Sequence, residues 1–124
     1  MVAGNWAVTD GAIPGLDVQD WNDQYKPRLN GQAIELDAYE ISRSLAISAD
    51  GQRFALGTEW ALRLYDRSGR LQWRQAGPAI AWAVNLSRDG RWVVAAYADG
   101  TIRWYRVEDG REVLALFAHI DKKR

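Results

Sequence analysis

The sequence predicts an all-β chain built from a repeated four-stranded antiparallel unit, two complete copies and one partial one. Three observations carry that expectation. A motif recurs at an offset of 39, drifting to 40, within a chain of 124 residues. Asp-Gly pairs separate short apolar runs, which is a strong hairpin signal because the turn needs positive φ at its centre. Seven tryptophans and five tyrosines are present, and large flat rings favour strands and the packed faces between sheets.

The repeat is seen by setting Ser44-Leu45-Ala46-Ile47-Ser48-Ala49-Asp50-Gly51 above Ala83-Val84-Asn85-Leu86-Ser87-Arg88-Asp89-Gly90. Arg53-Phe54-Ala55-Leu56-Gly57 then answers Trp92-Val93-Val94-Ala95-Ala96. After one inserted residue, Ala61-Leu62-Arg63-Leu64-Tyr65-Asp66 answers Thr101-Ile102-Arg103-Trp104-Tyr105-Arg106. A period near 40 with turns at Asp50-Gly51, Asp89-Gly90, Asp99-Gly100 and Asp109-Gly110 fits four short strands per unit, the blade of a β-propeller. The strands of one unit are expected at about 43–48, 53–58, 61–66 and 71–76, and those of the next at about 82–87, 91–97, 101–106 and 112–118. Runs such as Val93-Val94-Ala95-Ala96 lack polar alternation, so both faces of these strands are expected to be covered. A helix over 110–118 is set aside because its counterpart ends at Gly77-Pro78.

The front of the chain is less regular. Residues 5–10 and 16–22 read as strands, 26–31 as a turn and 32–36 as an outer strand, giving a partial blade over 1–40. Blades at 41–78 and 79–119 and a tail at 120–124 complete the division.

Composition narrows the function. A hydrophobic fraction of 48% and a charged fraction of 26% are ordinary for one globular domain with a modest core. Lys plus Arg and Asp plus Glu balance at 16 each, so no global field favours nucleic acid or an acidic membrane, and neither is expected as a partner. The absence of cysteine removes disulfides, thiolate metal sites and cysteine nucleophiles and suits a reducing compartment. Met1 to Trp6 carries no basic region followed by an apolar run, and no run reaches the roughly 20 residues of a spanning helix. The cytoplasm is therefore the expected location.

Ala98-Asp99-Gly100-Thr101-Ile102-Arg103-Trp104-Tyr105 resembles the signature of WD-repeat proteins, in which an Asp-Gly-Thr turn leads into a strand ending in Trp-Asp. Leu62-Arg63-Leu64-Tyr65-Asp66 is similar to the same strand with Tyr in the Trp place, and Trp21-Asn22 sits where that family has Trp-Asp. Ser48-Ala49-Asp50-Gly51 and Ser87-Arg88-Asp89-Gly90 resemble its Ser-x-Asp-Gly turn. More narrowly, residues 40–47 and 99–104 resemble bacterial WD-repeat proteins that accompany caspase-like peptidases. The resemblance covers about residues 41–118 and implies a propeller that acts as a protein-interaction scaffold. The narrow one implies a regulatory or sensor subunit of such a peptidase system. The family's Gly-His at each repeat start is missing, and Glu59 replaces the turn Asp of the middle unit. The usual Asp-His-Ser-Trp network therefore cannot form in its normal shape, and tryptophan packing is expected to hold the blades instead.

A closed propeller needs roughly four to eight blades, and this chain supplies about three. The open faces are expected to be covered by further sequence of a longer protein, by copies of the same chain, or by another polypeptide.

No catalytic set emerges, and no cofactor or metal is expected. His119 is a lone histidine and reads as a hydrogen-bonded loop residue. Asp17, Asp20, Asn22 and Asp23 offer oxygen ligands for calcium without the spacing or closing Glu of an EF-hand, and read as turn formers. Ser48 and Ser87 lack a nucleophile-elbow setting, and residues 11–15 make no phosphate loop. Trp60, Trp82 and Trp104 with Arg43, Arg63, Arg103 and Arg106 are the candidate binding residues, since Arg beside aromatics is favoured at interfaces. The alternative is that Arg63 and Arg103 are solvated cover. An enzyme whose site forms only on assembly, with Asp or Glu around a central channel, is the third reading.

Overall fold

The computed structural model describes residues 12–13 and 16–117. Among them every regular element is a strand, grouped in three antiparallel four-stranded sheets. The first contains β1 (Ala12–Ile13), β2 (Leu16–Gln19), β3 (Arg28–Leu29) and β4 (Gln32–Ala33). The second contains β5 (Ser42–Ile47), β6 (Arg53–Thr58), β7 (Ala61–Asp66) and β8 (Leu71–Ala76). The third contains β9 (Ala81–Leu86), β10 (Trp92–Tyr97), β11 (Thr101–Arg106) and β12 (Glu112–Phe117). Each is a meander in chain order, and the three stack as propeller-like blades that do not close into a ring.

The second and third sheets follow the strands the repeat predicts to within a residue at each end. The first departs from expectation. Its strand from Leu16 stops at Gln19, where Asp20 takes φ 55°. Residues 28–29, expected in a turn, form β3 and pair with both Val18-Gln19 and Gln32-Ala33. The tight turn is confined to Asn30 and Gly31, at φ 50° and 88°, which suits a type I′ hairpin. The outer strand is two residues, not five. The strand expected at 5–10 lies outside the described residues, as do His119 and the tail.

The turns of the two full blades are built alike. Gly51, Gly69, Gly90 and Gly100 take φ between 71° and 90°, and each N–H donates to the carbonyl three residues back. The positive φ falls on the Gly alone, so these are type I turns closed by a left-handed residue. Ser48 Oγ donates to Asp50 at 2.7 Å and accepts from Arg53 N at 3.0 Å. Ser87 repeats this with Asp89 at 2.6 Å and Trp92 N at 3.0 Å. At the middle turn of the second blade, where Asp is missing, Thr58 Oγ1 accepts from Ala61 N at 3.0 Å, as Asp99 accepts from Thr101 N at 2.9 Å in the third.

Two apolar seams join the sheets. Leu16, Val18, Leu29 and Ile34 of the first pack against Leu45, Ile47, Phe54, Leu56 and Tyr65 of the second. The opposite face of the second sheet, with Ala46, Ala55, Leu62 and Leu64, packs against Val84, Leu86, Val93, Ala95, Tyr97 and Tyr105 of the third. Both faces of β5 to β7 are thus dry, as their unbroken apolar sequence requires, and each buried Leu, Ile or Phe side chain contributes about 1.5–3 kcal/mol. Tryptophan packing does close the second seam: Trp73 stacks on Tyr105 at 6.2 Å and donates Nε1 to the Val107 carbonyl at 2.8 Å. At the inner end Ser44 Oγ donates to the Ala81 carbonyl at 2.9 Å.

That inner contact depends on Gly57. A Cβ there would stand 2.3 Å from Ser44 Oγ and 2.9 Å from the Ala81 methyl. Gly57→Ala is expected to push the second and third sheets apart and lower stability by about 1–3 kcal/mol, read as a lower urea midpoint with unchanged slope. A midpoint equal to the parent's would contradict the close packing of this seam.

Candidate interaction surface

The cross-strand register shows which side chains share a face. In the second sheet, Ala46, Ala55, Leu64 and Trp73 form one row and Ser44, Gly57, Leu62 and Gln75 the next. These rows meet the third sheet. The repeat carries them to Asn85, Val94, Trp104 and Leu114, and to Ala83, Ala96, Ile102 and Leu116, which pair in the same two rows. Among the described residues no fourth sheet covers this second set. Val94, Ala96, Ile102 and Trp104 are half-buried, while Leu114 and Leu116 are 46% and 49% exposed.

The uncovered face is also more apolar than its covered counterpart. Ser44 and Gln75, which serve the seam with hydrogen bonds to the Ala81 and Gly110 carbonyls, are replaced by Ala83 and Leu116. Phe117, also exposed, pairs with Thr101 and so belongs to the other side of β12. The other end of the stack is different: Asp17, Gln19 and Arg28 of the first sheet are exposed, and alternation places them opposite the buried Leu16, Val18 and Leu29.

The candidate residues are only partly gathered by the fold. Arg43 and Trp82 meet, with the guanidinium 5.8 Å from the ring centroid. Arg43 also pairs with Asp23 at 2.7 Å and Glu59 at 3.0 Å, so it ties all three sheets together at one end. Trp82 is 55% exposed beside it, and Trp60 lies in the adjoining turn. Trp104 belongs to the uncovered face. Arg103, its neighbour, points to the other side, over Tyr97 at 6.0 Å and paired with Glu112 at 3.1 Å. Arg106 is at the opposite end of the sheet, paired with Asp109 in its own turn.

Arg63 is neither a binding residue on a face nor solvated cover. It is 4% exposed, and its Nε and Nη2 donate to the two carboxylate oxygens of Glu40 at 3.2 and 2.7 Å. Glu40, fully buried, also accepts from the Thr58 hydroxyl and from Asp37 N. Burial alone would raise the Glu40 carboxyl, but the bonds from Arg63 and Thr58 outweigh it and hold it below its ordinary 4.5. In the third sheet the corresponding place holds a Tyr97–Tyr105 hydroxyl pair at 2.6 Å. Burial raises both phenols, so the pair is neutral. Two unlike polar clusters therefore stand where sequence reasoning saw only a missing network. Glu40 gave no local signal, because its partner lies 23 residues away on a strand of the next sheet.

The acidic cluster near Trp21 is drawn apart: Asp20 reaches toward Arg28 at 3.8 Å and Asp23 toward Arg43. Among the described residues no group of His, Asp and Glu is arranged to hold a metal ion, and no helix is long and apolar enough to cross a membrane. No protein-family model matches this chain, and no curated protein matches it.

Glu40→Ala leaves the buried Arg63 guanidinium with only the exposed Asp37 carboxylate at 3.5 Å, at an expected cost of about 3–5 kcal/mol, whereas replacing both by Met is expected to restore most of it. Because the Glu40 carboxyl is depressed in the fold, its contribution is present above pH 4.5 and lost as pH falls through the folded value. Denaturant midpoints across acid pH should therefore drop more steeply for the parent than for the double-Met variant. Parallel profiles would show that the pair contributes nothing.

Proposed function

We propose that the protein is a non-catalytic, propeller-type scaffold for protein–protein interaction, and that its principal contact surface is the uncovered face of the third sheet. One observation carries this reading. The residues that occupy the place of a buried seam, Val94, Ala96, Ile102, Trp104, Leu114 and Leu116, are left partly or largely accessible. A contiguous apolar sheet face of this kind marks an interaction site. The partner that fits is a protein bringing an apolar sheet face of its own, as the third sheet brings Val84, Leu86 and Val93 to the second. The WD-like turn and strand at residues 98–105 and the balanced charge agree with a scaffold. The buried polar groups, Glu40 with Arg63 and Tyr97 with Tyr105, bond one another and support the blades. A cytoplasmic location accords with the absence of cysteine.

The test is the mass of the purified chain by size exclusion with light scattering, beside hydrophobic-dye binding. The parent is expected to self-associate through this face and to bind dye strongly. Leu114→Glu with Leu116→Glu should return a monomer, cut dye binding several-fold and leave the far-ultraviolet spectrum unchanged. A parent that is a clean monomer and binds no dye would overturn the assignment of this face.

A further inference from the structure

The turn between β3 and β4 differs in chemistry from the Asp-Gly turns of the full blades. The glycines of Asp50-Gly51, Asp89-Gly90, Asp99-Gly100 and Asp109-Gly110 follow a carboxylate, whereas Gly31 follows the neutral amide of Asn30. An asparagine before glycine is open to a reaction of its own. The backbone nitrogen of the next residue attacks the side-chain amide carbon, and glycine has no side chain to stand in the way. Of Asn5, Asn22, Asn30 and Asn85, Asn30 alone precedes a glycine. Asn30 and Gly31 are exposed at the hairpin tip, and a Cβ at Gly31 would meet nothing within 4 Å. The carboxyls of the other turns are poor electrophiles while ionised, and hydrogen bonds from Ser48, Ser87, Thr101 and Arg106 hold them below the usual carboxylate range.

The fold restrains the same residue. Asn30 N donates to the Asp17 carbonyl at 2.8 Å, and Asn30 Oδ1 accepts from Asp17 N at 2.9 Å. The left-handed conformation of Asn30, φ 50°, turns the Gly31 nitrogen away from the Asn30 side chain, so the ring cannot close in the native turn. The restraint is local. Strands β3 and β4 pair through two residues each, and short, exposed pairing of this kind opens without global unfolding.

We propose that Asn30 is a site of self-modification, deamidating when the β3–β4 hairpin opens and releases Asp17. The Gly31 nitrogen gives up its proton and bonds to Asn30 Cγ, the Cγ–Nδ2 bond breaks, and the side-chain nitrogen leaves as ammonia carrying that proton. Water then opens the cyclic imide at either of its carbonyls. One opening gives aspartate, whose carboxylate still accepts from Asp17 N. The other gives isoaspartate, in which the backbone runs through the former side chain and is longer by a methylene. A longer link cannot keep Arg28 opposite Ala33 and Leu29 opposite Gln32, and Leu29 and Ile34 are core residues of the first seam. Repeated opening at this end of the stack is thereby converted into a lasting loss of packing. The uncovered face of the third sheet plays no part in this, so the modification and the scaffold reading can fail separately.

The full chain is incubated at neutral and mildly alkaline pH, natively and in urea, then digested for peptide mass analysis, with an isoaspartyl methyltransferase marking isoaspartate. Exchange of amide for acid is expected in the peptide carrying Asn30, ahead of those carrying Asn22 and Asn85. It should run several-fold faster in urea than in the native chain, and faster as pH rises, because the attacking nitrogen must lose its proton. Asn30→Gln should stay unmodified, since its longer side chain would have to close a larger ring. Asn30→Asp, the ordinary product, should keep the parent's urea midpoint, while the isolated isoaspartyl form should fall below it. Equal rates in the native chain and in urea, or a native chain that never reacts, would overturn the role of the hairpin. No reaction at Asn30 in urea, or a faster one at Asn22 or Asn85, would overturn the site. An isoaspartyl form as stable as the parent would overturn the consequence for the first seam.

Discussion

The second and third sheets of this chain are apolar on both sides, and the rest of the structure follows from the need to cover them. A strand such as β6, reading Phe54-Ala55-Leu56-Gly57, has no wet face to offer. It is stable only between two other sheets, and its side chains alternate between Leu16 and Val18 on one side and Val84 and Tyr97 on the other. The sheets come close at Gly57, where an added Cβ would stand 3.1 Å from the Ala81 carbonyl. Trp73 then determines how the outer strands settle. The middle sheet meets this requirement completely and the third meets it on one side, which is why the candidate surface lies where it does.

Within that constraint the two full blades have diverged in how they secure their polar interior. One uses a buried ion pair closed by a threonine hydroxyl, the other two phenols sharing one hydrogen bond. A buried ion pair is poor evidence of stability, because desolvation consumes most of the attraction. Its effect is geometric: Glu40 accepts in fixed directions from Arg63, Thr58 and the backbone of Asp37, so the link between the first and second sheets has one arrangement. The tyrosine pair spans β10 and β11 within its own sheet and leaves the polar links between sheets to Trp73, Gln75 and Ser44.

The strands of the second and third sheets were legible because an offset of 39 to 40 ties their turns and apolar runs together. The Ser-Asp-Gly turns and the shortage of blades were readable from the same pattern, and tryptophan packing was expected in general, without Trp73 being singled out. The first sheet resisted for a physical reason. Its β3 and β4 are two residues long, too short to show alternation, and Pro27 and Asn30-Gly31 signal a turn that occupies only the gap between them. The site was legible in part. Trp104 could be placed, but Leu114 and Leu116 matter through their cross-strand neighbours, and their register appears only once the sheet is formed. Arg63 misled because arginine beside aromatics marks an interface in sequence, while its carboxylate partner is brought to it by tertiary folding.

The unlike ends of the stack have a consequence for how copies can meet. A contact of head to tail would repeat without end, since the angle between sheets need not close a ring, and such contacts build filaments. Here it would press Trp104 and Leu116 against Asp17, Gln19 and Arg28, stripping water from charges and amides that find no partner on the opposing side. On the proposed reading, the charged end would serve as a terminator. If the uncovered face is adhesive as proposed, association would be steered toward pairings of apolar face with apolar face, which are finite, and the solvated sheet on the other side would oppose polymerisation.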